Sequence, residues 1–396
     1  MDFSRRYDVV VAGAGIAGIA GAIAAARRGK RVALVEKQTL IGGLATSGLI
    51  FVYLPLCDGN GTQVTFGLAE EMLLRCTNYG PFDLPEHWGG APGGNSVPNG
   101  RYASRFSPAG FVLELDKMLK EAGVDLWLDT LVTDVKCDEN HRINSICVSN
   151  ISGNGEISAD CFVDATGCAA LVKRAGGSCF SDENFVTPWW IENAPGDMDY
   201  HFSDSIHIAS TGKFSPEFAI DDPMTGKSHT GFSRRAWEMI RNLYDDLYAG
   251  DPEARRTNYP LHLAAMPQFR KIARIDAENV LSDDQYGRHF DDSVGLYADW
   301  RKAGFVWETP YGTLVPKDVK GVLAAGRCMG CAGDAWETFR VIPAAAMTGE
   351  VAGIAAAMCA DRGCEPAALD VKELQAELAE LGFKFHLEDV GLDVRK

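Results

Sequence analysis

The chain opens on Tyr7-Asp8-Val9-Val10-Val11-Ala12-Gly13-Ala14-Gly15-Ile16-Ala17-Gly18, and this stretch decides the fold. Its apolar, β-branched half predicts a buried strand, and its three glycines have the spacing G-x-G-x-x-G. The alanine-rich residues 20–28 then predict a helix, and the apolar residues 32–35, which follow Arg31, predict a second strand that ends at Glu36. Strand, glycine turn, helix and acidic strand end together form a dinucleotide-binding fingerprint. We therefore expect a Rossmann-like α/β fold.

Each part of the fingerprint has a physical role. Gly13 allows a tight turn, Gly15 lets a pyrophosphate approach the backbone, and Gly18 lets the helix and the strand pack closely. The start of the helix offers unpaired N–H groups and a partial positive charge to phosphates. Glu36 is placed to accept hydrogen bonds from a ribose.

Composition limits the classes of partner. The 396 residues suffice for one large or two medium domains with a hydrophobic core. A net charge of −16 argues against nucleic acid or an anionic membrane as the main partner. We expect no secretory signal and no membrane span, since no apolar run approaches about 20 residues. Eleven cysteines without paired spacing favour a reducing, cytoplasmic location.

Two further apolar strands end in glycine motifs, at Asp164-Ala165-Thr166-Gly167 and at Ala325-Gly326. Residues 189–307 differ in character, with scattered aromatic, proline and charged residues, and suggest an inserted, partly antiparallel domain. The predicted architecture is a discontinuous nucleotide-binding domain (1–180 and 315–365) with a parallel sheet and a β-meander. An inserted α+β substrate domain (181–314) and a helical tail (366–396) complete it.

Together these motifs resemble the FAD-dependent oxidoreductase family, whose flavin domain is similar to that of glutathione reductase. The residues that carry the resemblance are Gly13–Gly18 with Glu36, Gly42–Gly48, Cys57–Gly59 with Gln63-Val64, Asp164–Gly167, Ala325–Cys328, and Phe339–Val341 leading to Gly349. The resemblance implies FAD as the cofactor. It implies the following cofactor-binding residues: Gly13, Ala14, Gly15, Ile16, Ala17, Gly18, Glu36, Lys37, Gly42, Gly43, Leu44, Ala45, Thr46, Val132, Ala165, Thr166, Gly167, Gly326, Arg327 and Asp334.

Several of these residues have an implied partner on the cofactor. The backbone of Val132 would meet the adenine, and Asp334 would bind a ribityl hydroxyl. The helix beginning at Pro343 would direct its positive end at the pyrimidine edge of the flavin. The family often has an acidic residue where Cys168 stands and a histidine where Gly333 stands. No histidine-based catalytic role is therefore carried over.

The expected route of the electrons depends on whether the chain also has a nicotinamide-binding motif. A second G-x-G-x-x-G in a strand–helix context is lacking, so we do not expect a nicotinamide-binding half. Electrons should pass directly between FAD and a small-molecule substrate. Oxygen, a quinone or a carrier protein would then serve as the second electron partner.

Arginines are the preferred anchors for a carboxylate, because a guanidinium binds it through two hydrogen bonds. Arg270 and Arg340 are the candidates, with Arg274 beside the first, and surface ion pairs are the alternative for each. Cys57 and Asp58 are candidates for acid–base chemistry or a covalent flavin link, and a buried turn is the alternative. Tyr311 is a candidate proton donor. Cys328 and Cys331 could form a redox pair, although their loop lacks the usual helix start.

We predict an FAD-dependent dehydrogenase or reductase that exchanges a hydride with a small polar molecule, for which the arginines favour a carboxylate. The alternatives are a flavin-dependent monooxygenase or halogenase, and a non-catalytic binding protein on the same fold. Fold resemblance favours redox chemistry without fixing the reaction.

Overall fold

The structure is a computed structural model, and it describes residues 5–84, 86, 103–182, 184–196, 202–211 and 222–395. The glycine- and proline-rich residues 79–100, whose composition predicts a long loop, lie mostly outside these residues.

The secondary structure alternates strands and helices through most of the chain. The strands are β1 (Arg5–Ala12), β2 (Val32–Val35), β3 (Val52–Tyr53), β4 (Ser104–Arg105), β5 (Asp125–Trp127), β6 (Leu131–Cys137), β7 (Ile143–Asn150), β8 (Gly153–Asp164), β9 (Cys179–Phe180), β10 (Trp189–Asn193), β11 (Ile206–Ser210), β12 (Tyr259–Leu263), β13 (Arg274–Ile275), β14 (Ser293–Ala298), β15 (Val306–Pro310) and β16 (Val322–Ala324). The helices are α1 (Ile16–Arg27), α2 (Leu68–Cys76), α3 (Pro108–Ala122), α4 (Ala170–Arg174), α5 (Gly226–Gly250), α6 (Gly333–Phe339), α7 (Ile342–Arg362) and α8 (Val371–Glu380).

The central sheet has the strand order β5-β2-β1-β8-β7-β6, with β16 also paired to β8. β1 pairs in parallel with β2 and β8, and β16 pairs in parallel with the end of β8. β6, β7 and β8 form the antiparallel meander. Residues Val9–Ala12 of β1 are fully buried because both faces of the parallel part are covered. This confirms the predicted Rossmann-type sheet.

Helices α1 and α7 cross at very close range beneath this sheet. A Cβ at Gly349 would collide with the carbonyl oxygen of Ala17, and a Cβ at Gly353 would collide with that of Gly21. Glycine is therefore required where the two backbones touch. The small-residue composition of α7 predicts this packing.

By length and composition, α7 is the one helix among the described residues that could cross a membrane, which corrects the expectation that no apolar run is long enough. In the protein, 94% of its apolar window is buried. The composition of α7 therefore matches its position as a core helix.

The middle of the chain contains a small antiparallel sheet with the order β11-β10-β12. α5 packs on it, and Trp190 of β10 donates a hydrogen bond to the Tyr244 hydroxyl at 2.9 Å. Trp307 of β15 lies in the same hydrophobic cluster as Val9 of β1. The hairpin β14–β15 is thus part of the main core, while the domain boundaries stay a prediction.

Candidate functional site

The ends of β1, β2, β8 and β16 open into one cleft, as expected for ligand sites at the carboxyl edge of a parallel sheet. The cleft has a volume of about 740 Å³, part of which is open to solvent. The residues that line it are Gly13, Gly15, Ile16, Ala17, Glu36, Lys37, Gln38, Gly42, Gly43, Leu44, Ala45, Ala165, Thr166, Gly167, Met266, Ala325, Gly326, Arg327, Arg340, Val341, Ile342 and Ala345.

The turn between β1 and α1 uses its three glycines differently. Gly13 has a φ of +95°, and a Cβ there would lie 2.7 Å from the carbonyl oxygen of Ala165. A Cβ at Gly18 would collide with the carbonyl oxygen of Gly13. At Gly15, by contrast, a Cβ would meet no protein atom within 4 Å. The protein's own packing requires the outer two glycines, and the middle one leaves open space facing the cleft.

Glu36 ties the end of β2 to this turn. Its Oε2 accepts a hydrogen bond from the backbone N–H of Ala14 at 2.7 Å, and its Oε1 accepts one from Gln38 at 2.9 Å. The side chain is 8% exposed and borders the cleft. Since each carboxylate oxygen can accept more than one hydrogen bond, Glu36 can also receive hydroxyl groups from a ligand.

The glycine-rich loop after β2 rests against the same turn. The N–H of Gly42 donates to the carbonyl of Ala14 at 2.7 Å, and Gly15 and Gly42 form an isolated parallel bridge. The Thr46 hydroxyl donates to the carbonyl of Ile41. Two stretches that lie 27 residues apart in sequence thus form one wall of the cleft.

The end of β8 is fixed by the buried carboxylate of Asp164. It accepts hydrogen bonds from the hydroxyl of Thr166 at 2.7 Å and from the backbone N–H of Leu171 at 2.7 Å. Burial raises the pKa of Asp164, and these hydrogen bonds partly oppose that rise. The result is a rigid support for Ala165–Gly167 at the floor of the cleft.

Arg327 follows the end of β16 and extends across this floor. One guanidinium nitrogen donates to the carbonyl of Phe269, and a Cβ at Gly167 would collide with the guanidinium. Burial and the nearby charge of Arg340 both lower the pKa of Arg327. A cation held in this position suits an anionic ligand.

A second group of positive charges lies at the start of α7. Arg340 borders the cleft and pairs with Glu337, which also pairs with Lys271 at 3.3 Å. Burial opposes ionisation of Glu337, yet Arg340 and Lys271 hold its pKa below the usual range. Burial, and next the charge of Arg340, lower the pKa of Arg270. Arg270 and Arg340 therefore lie close enough to repel one another.

Most of the predicted cofactor residues border the cleft. Of the others, Ala14 donates its N–H to Glu36, Gly18 packs within the turn, and Thr46 lies in the wall of a neighbouring groove. Among the predicted anchors, Arg340 borders the cleft, and Arg270 lies beside it.

Two predicted cofactor contacts are displaced from the cleft. The carboxylate of Asp334 pairs with Arg301 at 3.1 Å and with Lys302, and its contact with a ribityl hydroxyl stays a prediction. These cations lower its pKa. Val132 pairs with Val148 in the meander and does not border the cleft.

Three predicted catalytic residues have structural surroundings instead. The hydroxyl of Tyr311 donates to the carbonyl of Pro366 at 3.0 Å, and burial raises its pKa well above the ordinary value. The carboxylate of Asp58 accepts backbone hydrogen bonds from Asn60 and Thr62, which closes a buried turn next to Cys57. The catalytic roles of Tyr311, Cys57 and Asp58 therefore stay predictions, and the buried turn agrees with the alternative for Cys57 and Asp58.

The predicted redox pair is also buried. Burial raises the pKa of both Cys328 and Cys331, and Cys328 Sγ accepts a hydrogen bond from the N–H of Ala169 at 3.2 Å. Such thiols are poor nucleophiles, so they pack the loop.

Some lining residues carry no sequence signal. Met266 comes from the segment before β13, and only folding brings it to the cleft. The first turn of α7 also lines the cleft, through Val341, Ile342 and Ala345. The sequence predicts that this helix points at the cofactor, but it does not predict which of its residues line the cleft.

Comparison with known proteins places this cleft in context. The family described as FAD dependent oxidoreductase matches residues 8–185 and 223–378. A soluble pyridine nucleotide transhydrogenase from Chromohalobacter salexigens is 60% identical over 42 residues, which span 11% of this chain and 9% of that protein.

Two solved structures are similar to this chain at low identity. A geranylgeranyl bacteriochlorophyll reductase-like protein from Thermoplasma acidophilum is 14% identical, with a TM-score of 0.48 over 98% of this chain and 84% of that chain. The flavin-dependent halogenase CmlS is 13% identical, with a TM-score of 0.49 over 95% of this chain and 62% of that chain.

Proposed function

The chain belongs to the FAD dependent oxidoreductase family, and from that premise we propose that it exchanges a hydride between FAD and a small polar substrate that carries a carboxylate. Bound FAD supplies the two-electron acceptor or donor at such a site. The protein's own contribution is to bind, orient and neutralise charge.

The described residues fit FAD. The open space at Gly15 admits a pyrophosphate close to the backbone at the start of α1. Glu36 has acceptor capacity for the adenosine ribose, and Arg327 supplies positive charge for the phosphates or the ribityl chain. The first turn of α7 presents its N–H groups to the cleft, where a helix terminus favours negative charge.

The observation that carries the substrate proposal is the pair Arg340 and Arg270. The one carboxylate hydrogen-bonded to Arg340 among the described residues, Glu337, is shared with Lys271. Lys271 also pairs with Asp182 at 2.8 Å, and burial, followed by the charge of Arg340, lowers the pKa of Arg270, as expected where guanidiniums crowd together. A substrate carboxylate between the two guanidiniums would relieve their repulsion and form charge-assisted hydrogen bonds.

An anaerobic screen tests the proposal. The FAD-loaded protein is mixed with small hydroxy, amino and unsaturated carboxylic acids, first as isolated and then after reduction with dithionite. Bleaching or return of the flavin absorption band identifies the substrate and the direction of electron flow. The matching alcohols or amides without a carboxylate should react far more slowly.

Variants at Arg340 test whether this residue anchors the substrate carboxylate. Arg340→Lys should raise KM for the carboxylate by about tenfold, because charge remains while the two-pronged geometry is lost, and Arg340→Gln should raise it by about 100-fold. FAD content should stay unchanged in both. Arg234→Gln, on the exposed face of α5, is the control with unchanged kinetics.

Other outcomes would replace the proposal. Hydroxylation or halogenation that requires oxygen, without anaerobic bleaching, would identify a monooxygenase or halogenase. A colourless protein that does not bind FAD would identify a binding protein. As parts of the same proposal, oxygen, a quinone or a carrier protein is the second electron partner. The cytoplasm is the proposed location, in keeping with eleven free thiols.

A further inference from the structure

A cluster of two histidines and one glutamate lies on the C-terminal side of the protein, where the last segment of the chain crosses β15. It consists of His289, Glu308 and His386, and we call it the His–Glu–His cluster. None of the three borders the FAD cleft. We propose that this cluster binds a divalent transition-metal ion, with Zn²⁺ as the best match, and that the ion fastens the C-terminal segment to the hairpin β14–β15.

The donor atoms are already close to coordination distance. Nδ1 of His386 lies 3.0 Å from Oε2 of Glu308, and Nδ1 of His289 lies 3.7 Å from Oε1 of the same carboxylate. One donor atom from each residue lies within 4.8 Å of the others. Tetrahedral Zn²⁺ with bonds of about 2.0–2.1 Å keeps its ligands roughly 3.3 Å apart, so small side-chain rotations suffice.

The histidine rings are oriented as ligands. Nε2 of His289 lies 3.2 Å from Oδ1 of Asp291, and a hydrogen bond donated from Nε2 leaves Nδ1 as the acceptor that faces Glu308. A carboxylate behind a ligating histidine is the usual supporting arrangement in zinc sites. The ring centroids of His289 and His386 lie 4.4 Å apart at an angle of 31°, and Nδ1 of each ring faces the Glu308 carboxylate.

Charge favours a cation at this point. Glu308 is fully buried, and within the described part of the chain its ion-pair partners are these two histidines. The backbone N–H groups of Phe290 and Leu387 hold its two oxygens at 2.8 and 3.1 Å. A buried carboxylate requires compensation by positive charge. Neutral imidazole nitrogens beside it supply a donor set typical of Zn²⁺.

The three ligands come from three separate segments. His289 precedes β14, Glu308 lies in β15, and His386 belongs to the stretch after α8. An ion that joins them closes the chain end onto the core, so its binding energy adds to folding stability. The exposed side of His289 leaves a fourth coordination position for water, and the fastening role rests on the three separate segments that the ion would join.

The test uses the full chain, loaded with FAD, freed of any affinity tag and treated with EDTA before dialysis. Isothermal titration with Zn²⁺ should show one saturable site per chain, and thermal unfolding should shift upward by several degrees with one equivalent of Zn²⁺. His289→Gln and His386→Gln should each weaken Zn²⁺ binding by at least about 100-fold and abolish the shift. FAD content and a cooperative unfolding transition in EDTA show that the variants fold, and each variant's Zn²⁺ shift is measured against its own unfolding temperature in EDTA, which the loss of a Glu308 partner should lower.

His141→Asn is the matched control, because His141 is exposed in the turn between β6 and β7, and asparagine accepts its positive φ of 58°. It should bind Zn²⁺ like the parent protein. The proposal is overturned if the parent protein shows no saturable Zn²⁺ binding, or if both cluster variants bind Zn²⁺ as tightly as the control.

Discussion

The carboxylate of Glu36, at the end of β2, accepts a hydrogen bond from the backbone N–H of Ala14 at 2.7 Å, within the turn between β1 and α1. A side chain expected to serve only the ribose therefore also shapes the phosphate-binding turn. This contact holds the turn in place before a ligand arrives, which lowers the ordering cost of binding.

Replacement of Glu36 should weaken FAD binding through both roles. Glu36→Gln retains one acceptor but places an amide donor against a backbone N–H, and we expect FAD to bind about tenfold more weakly. Glu36→Ala leaves a buried N–H unsatisfied, at about 1–3 kcal/mol, and should weaken binding by about 100-fold. Quenching of flavin fluorescence measures the affinity. Glu238→Ala on α5 is the control, and equal affinity in Glu36→Ala would contradict the assignment.

Alanine at Gly15 should separate ligand binding from folding. The φ of Gly15 is −72°, which alanine adopts freely, and its Cβ would meet no protein atom within 4 Å. We expect the free energy of unfolding without FAD to change by less than about 0.5 kcal/mol. FAD binding should weaken at least about tenfold, because the methyl group occupies the space for the pyrophosphate.

Gly18→Ala is the counterpart of that variant. Its Cβ would collide with the carbonyl of Gly13, so it should lower stability even without FAD. Urea unfolding of both FAD-free variants makes the comparison. If Gly15→Ala loaded with FAD as the parent protein does, the cleft would not be the cofactor site.

The contact between α1 and α7 should be intolerant of one extra carbon. Gly349→Ala places a methyl group against the carbonyl of Ala17 and should cost about 2–3 kcal/mol of unfolding free energy. Because α1 carries the phosphate-binding turn at its start, FAD affinity should fall as well. Gly226→Ala, at the start of α5 with no atom within 4 Å, should be neutral. Urea titration checks both, and equal stability would refute the close packing.

Stability should depend on pH through Glu350 in α7. Burial raises its pKa to about 8, and Oε2 accepts the N–H of Leu68 at 2.6 Å. The folded protein holds this proton while the unfolded chain, with an ordinary pKa of about 4.3, releases it. The stabilising contribution is therefore complete below about pH 4 and is lost as pH rises toward 8.

The variant Glu350→Gln has no titratable group at this position, so this contribution to the pH dependence of its unfolding free energy is absent. Between pH 5.5 and 7.5 the parent protein should lose about 2 kcal/mol of unfolding free energy more than the variant does. Chemical unfolding at several pH values measures the difference. Parallel pH profiles for the two proteins would show that Glu350 is ionised in the folded state.

The parts of the fold that the sequence predicts well are those with local signals. The turn at Gly13–Gly18, the meander of β6, β7 and β8, and the small-sided helix α7 each follow from a pattern within a few dozen residues. The ion pairs of Asp334 could not be predicted, because its partners, Arg301 and Lys302, belong to the β14–β15 connection, which no motif links to α6. The hydrogen bond from the Tyr311 hydroxyl could not be predicted for a similar reason, since its partner Pro366 lies after α7.

By itself, the sequence determined the Rossmann-type sheet and the identity of the cofactor. Glycine spacing, apolar strands and an acidic strand end are imposed by backbone sterics and by the shape of a dinucleotide. Only the tertiary structure decided which polar groups face the cleft and which serve the scaffold. Charge neutralisation acts through space, and residues such as Arg340, Arg270 and Glu337 acquire their roles when distant segments pack together.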